Sequence, residues 1–209
     1  MSIINKLASS LGERGAESNI KLAKDIAATN DKNAIYELVE NLQNKDKKIQ
    51  SDCIKTLYET SYINPKIIAD YHKEFLSLLN SKNNRLVWGS MIAIWQITSL
   101  KHKEIFSSIN LILDTIKKGS VITIDCGVGI LSELNKHKQY SQTTDPVLED
   151  ILWKCPIKQL GQYVEKVEDS VCKQNKEIYR ILVEKRISEC KKETQVKRLN
   201  KFLKKIDTI

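Results

Sequence analysis

Glycine and proline are scarce: the 209 residues contain 7 Gly and 3 Pro. An all-β chain with frequent tight turns needs more of both, so that class is excluded. No run of about 18 apolar residues occurs, and no membrane-spanning helix is expected. Met1 to Leu11 lacks a sustained apolar stretch, and Gly12-Glu13-Arg14 follows at once, which is wrong for a secretory signal. The five cysteines (Cys53, Cys126, Cys155, Cys172, Cys190) form no CxxC pair. Neither a disulfide framework nor a zinc module is expected, and free thiols point to a reducing, cytoplasmic setting.

Signs of catalysis are missing as well. His72, His102 and His137 lie far apart, and no two stand four residues from each other, so no metal site is expected. Gly127-Val128-Gly129 lacks the third glycine of a dinucleotide fingerprint, because Ser132 occupies that place. There is no phosphate-binding GK[ST] and no serine nucleophile elbow. Cys155 precedes Pro156, with no adjacent His or carboxylate to activate it. No cofactor is expected.

Hydrophobic residues make up 41% and charged residues 29%, which excludes a disordered or collagen-like chain. The net charge of +8 is unevenly spread. Lys173 to Ile209 holds 12 Lys/Arg against five Asp/Glu, and the preceding 172 residues hold 22 against 21. The basic character therefore belongs to the C-terminal segment.

An internal repeat is present. Residues 44–60, 81–97 and 118–134 align at an offset of 37. Ile54, Met91 and Val128 fall in step, as do Leu57, Ile94 and Leu131. An amphipathic pattern at spacings of three and four precedes each copy: Ile35 to Leu42, Ile67 to Leu79 and Ile105 to Ile116. Asp31 is placed to cap the first of these helices. Asn64-Pro65 and Asp145-Pro146 read as a cap followed by proline in the first turn. The unit is a helix, a short turn and a second helix, and such units bury their apolar faces by stacking. Val121-Ile122-Thr123-Ile124 alone would suggest a strand, but the 37-residue register places a helix there.

The expected architecture is all-α: one domain over residues 1–209, a right-handed α/α superhelix of stacked helical pairs. Capping helices occupy 1–30 (Ser2 to Leu11, Glu17 to Ala28) and three regular repeats occupy 31–137. An insertion at 137–146 leads into an irregular C-terminal repeat over 138–209. Its helices are expected at about Ile157 to Val171 and Gln174 to Glu189, with a basic closing helix at Thr194 to Ile206.

The pattern resembles HEAT repeats. The residues that carry the resemblance are Asp46 at the turn, the basic Lys48 matched by Arg85, and the core set Ile49, Cys53 and Leu57. The turn residue becomes Asn83 and then Ser120, and Ile122 takes the basic position in the third copy. The resemblance implies a binding scaffold whose second helices line a concave face. On those helices, positions that are polar in the first copy turn apolar or small in the next two: Lys55 becomes Ile92, and Asp52 becomes Gly89. Arg85, Trp88, Ile92, Trp95, Ile122 and Asp125 are the candidate partner-binding residues.

The expected function is non-catalytic, with a protein partner held on that face. The alternative is a DNA-binding protein. Alkylpurine DNA glycosylases built on HEAT-like repeats combine a basic concave surface, aromatic residues and a carboxylate. Trp88 and Asp125 resemble that set, without a motif that matches residue by residue. Nucleic acid would also find Lys197, Arg198, Lys201, Lys204 and Lys205, which share one side of the closing helix opposite Val196, Leu199, Leu203 and Ile206.

Overall fold

A computed structural model describes residues 2–209. Twelve α-helices account for most of these residues, and no β-strand occurs among them. The chain divides into two compact units, Met1–Gly127 and Val128–Ile209, where the sequence suggests one domain.

The first unit begins with a short 3-10 helix, Ile3–Lys6, then α1 (Glu17–Thr29), α2 (Lys32–Glu40) and α3 (Lys47–Ile63). The expected capping helix over Ser2 to Leu11 is thus only one 3-10 helix followed by hydrogen-bonded turns. α4 (His72–Ser77), α5 (Asn84–Ile97), α6 (His102–Ser107) and α7 (Ile109–Lys118) follow. α8 (Val121–Asn135) crosses the border between the units.

The caps fall where the repeat places them. Asp31 accepts the Ala34 N–H at 3.0 Å. Asp46 accepts the Lys48 N–H at 2.7 Å, and 37 residues later Asn83 accepts the Arg85 N–H at 3.1 Å. Each satisfies a donor that the first turn leaves without an intrahelical partner. The in-step apolar residues are core: Leu57, Met91, Ile94, Val128 and Leu131 are fully buried, and Ile54 nearly so.

The first helices of the later pairs are broken. Asn64 makes no side-chain cap, and Pro65–Ile67 and Ala69–Tyr71 are 3-10 turns ahead of α4. Ile67, Ile68 and Ala69 are all buried. Three consecutive buried residues span about 200° on an α-helix, too wide for one inward face, and the tighter turns accommodate them. The third pair breaks at Ser108, between α6 and α7.

α8 forms despite its β-branched start. Its first backbone bond runs from the Ile124 N–H to the Ser120 carbonyl at 3.0 Å. Helix propensities differ by no more than about 0.7 kcal/mol per ordinary residue. Burial of Val128, Ile130, Leu131 and Leu134, each fully buried, gains roughly 1.5–3 kcal/mol per side chain.

Two glycines set close approaches in the first unit. A Cβ on Gly89 would meet Ile54 Cγ1 at 2.6 Å, so α3 and α5 pack at that point only because position 89 has no side chain. A Cβ on Gly127 would meet Ile116 Cγ1 at 2.4 Å, which has the same consequence for α7 and α8.

The second unit contains the rest of α8, then α9 (Lys138–Lys154), α10 (Ile157–Val167), α11 (Lys176–Arg186) and α12 (Glu193–Asp207). Its core is Leu148, Leu152, Leu160, Tyr163, Leu182 and Phe202. The expected last three helices are present within a few residues. The expected insertion at 137–146 is instead the first half of α9, and Pro146 lies inside that helix. Proline there forfeits one helical bond to the Gln142 carbonyl, and both residues are exposed, so water can serve that carbonyl.

Asp145 is no N-cap. Its Oδ1 accepts from Asn135 Nδ2 at 2.7 Å, Asn175 Nδ2 at 3.0 Å and the Tyr179 hydroxyl at 3.1 Å. Burial and the Asp145 carboxylate both push the Tyr179 phenol upward, so it stays protonated and donates.

Candidate functional site

The six candidate partner-binding residues lie in the first unit, on α5 and the start of α8, and the basic candidates lie on α12 in the second. Two clefts open in the first unit. The first, of about 760 Å³, is lined by Ser9, Gly12–Ala16 and Asn19 on one side, and by Lys48, Asp52, Lys55, Tyr58, Arg85 and Trp88 on the other. The second, of about 570 Å³, has Val87, Trp88, Leu111, Lys118, Ile122 and Thr123 among its lining residues. Trp88 belongs to both and forms their common wall.

The N-terminal segment builds one side of the first cleft through its backbone. Asp52 Oδ2 accepts the Ser9 N–H at 2.7 Å, and Asn19 Oδ1 accepts the Ala8 N–H at 2.9 Å. Glu37 Oε2 accepts the Ile3 N–H at 3.0 Å, and Glu37 also accepts from the Ser2 hydroxyl. These donors hold the Glu37 carboxyl below its usual range, the Ser2 bond contributing most. Asp52, one of the polar positions of the first copy, is therefore half-buried under the segment Ala8–Ser9.

Aromatic rings form a row on α3 and α5. Tyr58 and Trp88 have centroids 5.9 Å apart, and Tyr58 and Tyr62 are 6.1 Å apart at an edge-on angle of 80°. The ammonium of Lys55 sits 4.8 Å from the Tyr58 centroid and 2.6 Å from Glu59 Oε1. Burial disfavours that ammonium, but Glu59 and Tyr58 outweigh it and raise the Lys55 pKa. Burial also pushes the Tyr62 phenol up to about 12, so the row is uncharged at neutral pH.

The six candidates part company. Arg85 is exposed beside half-buried Trp88, and both line the first cleft. Ile122, 45% exposed, lines the second. Trp95 and Asp125 are half-buried and line neither cleft. Ile92 is buried, at 8% exposure. Its apolar side chain is core, which corrects its assignment to the surface. Register alone did not reveal this, because the face of α5 that α3 leaves solvated is narrowed by the Gly89–Ile54 contact.

The sequence reading missed Arg14, Ser9 and Asn19. The Gly12-Glu13-Arg14-Gly15 run signals a loop, but nothing local says that it lies against α3 and α5.

The basic helix α12 is largely engaged within its own unit. Arg198 pairs with Glu165, and Lys205 pairs with Glu168 and, at 3.3 Å, with Asp169. Lys197 reaches Glu193 Oε1 at 2.7 Å along the helix. These partners raise the Arg198 and Lys205 pKa values and lower that of Glu165. Lys201 and Lys204 remain as exposed cations. The expected basic patch is thus in good part a seam of ion pairs.

Two of the buried thiols are held in the protonated form. Burial pushes Cys53 up to about 12, and it raises Cys155 despite the Arg186 guanidinium beside it. Among the described residues, no group of three His, Cys, Asp or Glu is placed to hold a metal ion, and no helix is long and apolar enough to cross a membrane.

No protein-family model and no curated protein matches the chain. Solved structures do. An engineered protein superposes with a TM-score of 0.67 at 14% identity, over 100% of this chain and 98% of its own. A designed armadillo-repeat protein in complex with the peptide (KR)4 gives 0.66 at 14% identity, over 98% of this chain and 89% of its own. A computationally designed armadillo-repeat protein for modular peptide recognition gives 0.64 at 14% identity, over 98% and 90%. At such low identity the likeness establishes the fold alone, which is that of an all-α helical-repeat protein.

Proposed function

We propose that the protein is a non-catalytic scaffold that binds a protein partner, as an extended segment, across the second helices of its first unit. The observation that carries this reading is Trp88 as the shared wall of two clefts. Together the clefts offer one surface from α3 over α5 to the start of α8. The binding set is Arg85, Trp88 and Ile122, with Trp95 and Asp125 at its margin. Peptide binding by designed armadillo-repeat proteins of the same fold class supports the reading, because fold-level likeness raises the prior for a shared use without fixing it.

The repeats are read as HEAT-like rather than armadillo-like, on the strength of the Asp46 and Asn83 caps at one register position. One repeat domain over 1–209 is proposed, in line with matches that extend over nearly the whole chain. The five free thiols support a cytoplasmic setting. DNA binding draws less support, since Lys197, Arg198 and Lys205 are already paired with carboxylates.

The test is selection from a random peptide library on the wild-type protein, followed by binding assays with the Trp88→Ala variant. Enriched peptides are expected to lose at least about tenfold in affinity, the order of a buried aromatic contact. Peptides that bind both proteins equally, or no enrichment at all, would overturn the reading.

A further inference from the structure

We infer that the first cleft takes an acidic segment of the partner, with an anionic oxygen of that segment seated at the N-terminus of α1 among Arg14, Lys48 and Arg85. The inference rests on the peptide-binding reading above and names the chemistry of the partner.

Three observations converge on it. The first is the helix end. α1 has 13 residues, and its N-cap is Ala16, which supplies no side-chain cap. Gly15 and Ala16 line the cleft, so the positive end of the helix opens there.

The second is a pair of donors with no acceptor. Asn19 is fully buried, and its Nδ2 has no hydrogen-bond partner. Its Oδ1 is held by the Ala8 N–H, which fixes the orientation of the amide. The buried Ser9 hydroxyl is likewise without a partner. Both residues line this cleft. Buried polar groups are satisfied in the great majority of cases, so two unsatisfied ones in a single cleft point to a ligand that supplies an acceptor.

The third is charge. Arg14, Lys48 and Arg85 enter no ion pair among the described residues. The two carboxylates of the lining already serve other donors: Asp52 accepts the Ser9 N–H at 2.7 Å and Glu13 accepts the Ser18 hydroxyl at 2.6 Å. Four cationic side chains (Arg14, Lys48, Lys55 and Arg85) and two carboxylates (Glu13 and Asp52) line the cleft, a formal excess of two positive charges. The ring of Trp88 beside them offers an apolar surface for the neighbouring residues of the segment. Glu17, in the first turn, folds its carboxylate over Gly15 and must swing aside to admit an anion.

The experiment measures fluorescence anisotropy of three labelled peptides, (Glu-Leu)4, (Ser-Leu)4 and (Lys-Leu)4, with the full chain. The (Glu-Leu)4 peptide is expected to bind at least about tenfold more tightly than the other two. Lys48→Glu and Arg85→Glu are each expected to weaken it about tenfold, and Glu17→Gln to strengthen it. All three positions are exposed, and far-UV circular dichroism confirms that the variants keep their helix content.

Equal binding of the three peptides, insensitive to these variants, overturns the acidic preference and leaves the broader reading standing. Failure of all three to bind also overturns the inference, and the Trp88-dependent selection then decides the broader reading separately. Duplex DNA that binds more tightly than (Glu-Leu)4, with the same variant sensitivity, overturns it in favour of nucleic-acid phosphates. Inorganic phosphate that competes as well as the unlabelled peptide overturns the claim that a protein segment is the ligand.

Discussion

The carboxylates that anchor a terminal segment have different partners in the two units. In Met1–Gly127, Glu37 and Asp52 accept backbone N–H groups of the N-terminal segment, at Ile3 and Ser9. In Val128–Ile209, Glu165, Glu168 and Glu189 take the side chains of Arg198, Lys205 and Arg186. The first arrangement fixes a loop and leaves nearby cations unpaired. The second fastens α12 to the end of α10 and occupies Arg198 and Lys205, while Lys201 and Lys204 stay exposed. The unit with the smaller formal net charge (17 Lys/Arg against 14 Asp/Glu, compared with 17 against 12) is the one with unpaired positive charge around a cleft. The second unit keeps much of its positive charge in internal pairs. Net charge says little about a binding surface until the partner of each anion is known.

The comparison can be broken most severely at the core of the first unit. Ile92→Glu buries a charge where the sequence suggests a surface position, and is expected to destabilise by about 4 kcal/mol or more. Thermal unfolding followed by circular dichroism would show it. A variant as stable as the wild type would return Ile92 to the binding face.

In the second unit a polar hub takes the corresponding role. Asp145→Ala leaves Asn135, Asn175 and Tyr179 without their shared acceptor and is expected to cost about 2 kcal/mol. Asp145→Asn retains one acceptor oxygen and is expected to cost less. Equal midpoints for the two variants in urea would show that the hydrogen bonds contribute little.

Smaller effects sharpen the contrast in charge. Glu165→Gln and Glu168→Gln are each expected to cost about 0.5 kcal/mol, the range of exposed ion pairs. Both release cations of α12, so retention on an anionic column should rise. Unchanged retention would mean that α12 was already available to polyanions.

The pH dependence follows from the same pairs. The Glu165 carboxyl is held low by Arg198, and Glu189 by Arg186. A lowered acid contributes stability above its unfolded value near 4.5 and loses that contribution as pH falls through the folded value. The melting temperature should therefore decline below about pH 4.5, and less steeply in Glu165→Gln. The least effect is expected from Ile122→Glu, within about 0.5 kcal/mol, because that side chain is 45% exposed.

What could be read in advance follows the range of the interactions. The caps at Asp31 and Asp46 and the core series Ile54, Met91, Val128 depend on neighbours within one turn or one repeat, so pattern alone located them. α8 needed the repeat, since Val121 to Ile124 favour a strand when taken by themselves. Asp145-Pro146 misled because Asp145 finds Asn175 and Tyr179 30 and 34 residues away, and these outweigh its local capping preference. The seam of α12 escaped for the same reason, as Glu165 and Arg198 are 33 residues apart. The N-terminal side of the cleft was the hardest to see. Backbone N–H groups bind there, and any residue but proline supplies one.

That last point governs how the segment Ser2–Gly12 can change. Its anchors to α1, α2 and α3 use main-chain donors at Ile3, Ala8 and Ser9, while of its side chains only Ile3, Leu7 and Ala8 are buried. Residue identity at Ile4, Asn5 and Lys6 is accordingly free to drift. The count of residues is not, because one insertion between Ile3 and Ala8 would move every later N–H out of reach of its acceptor. The segment specifies length more strictly than composition.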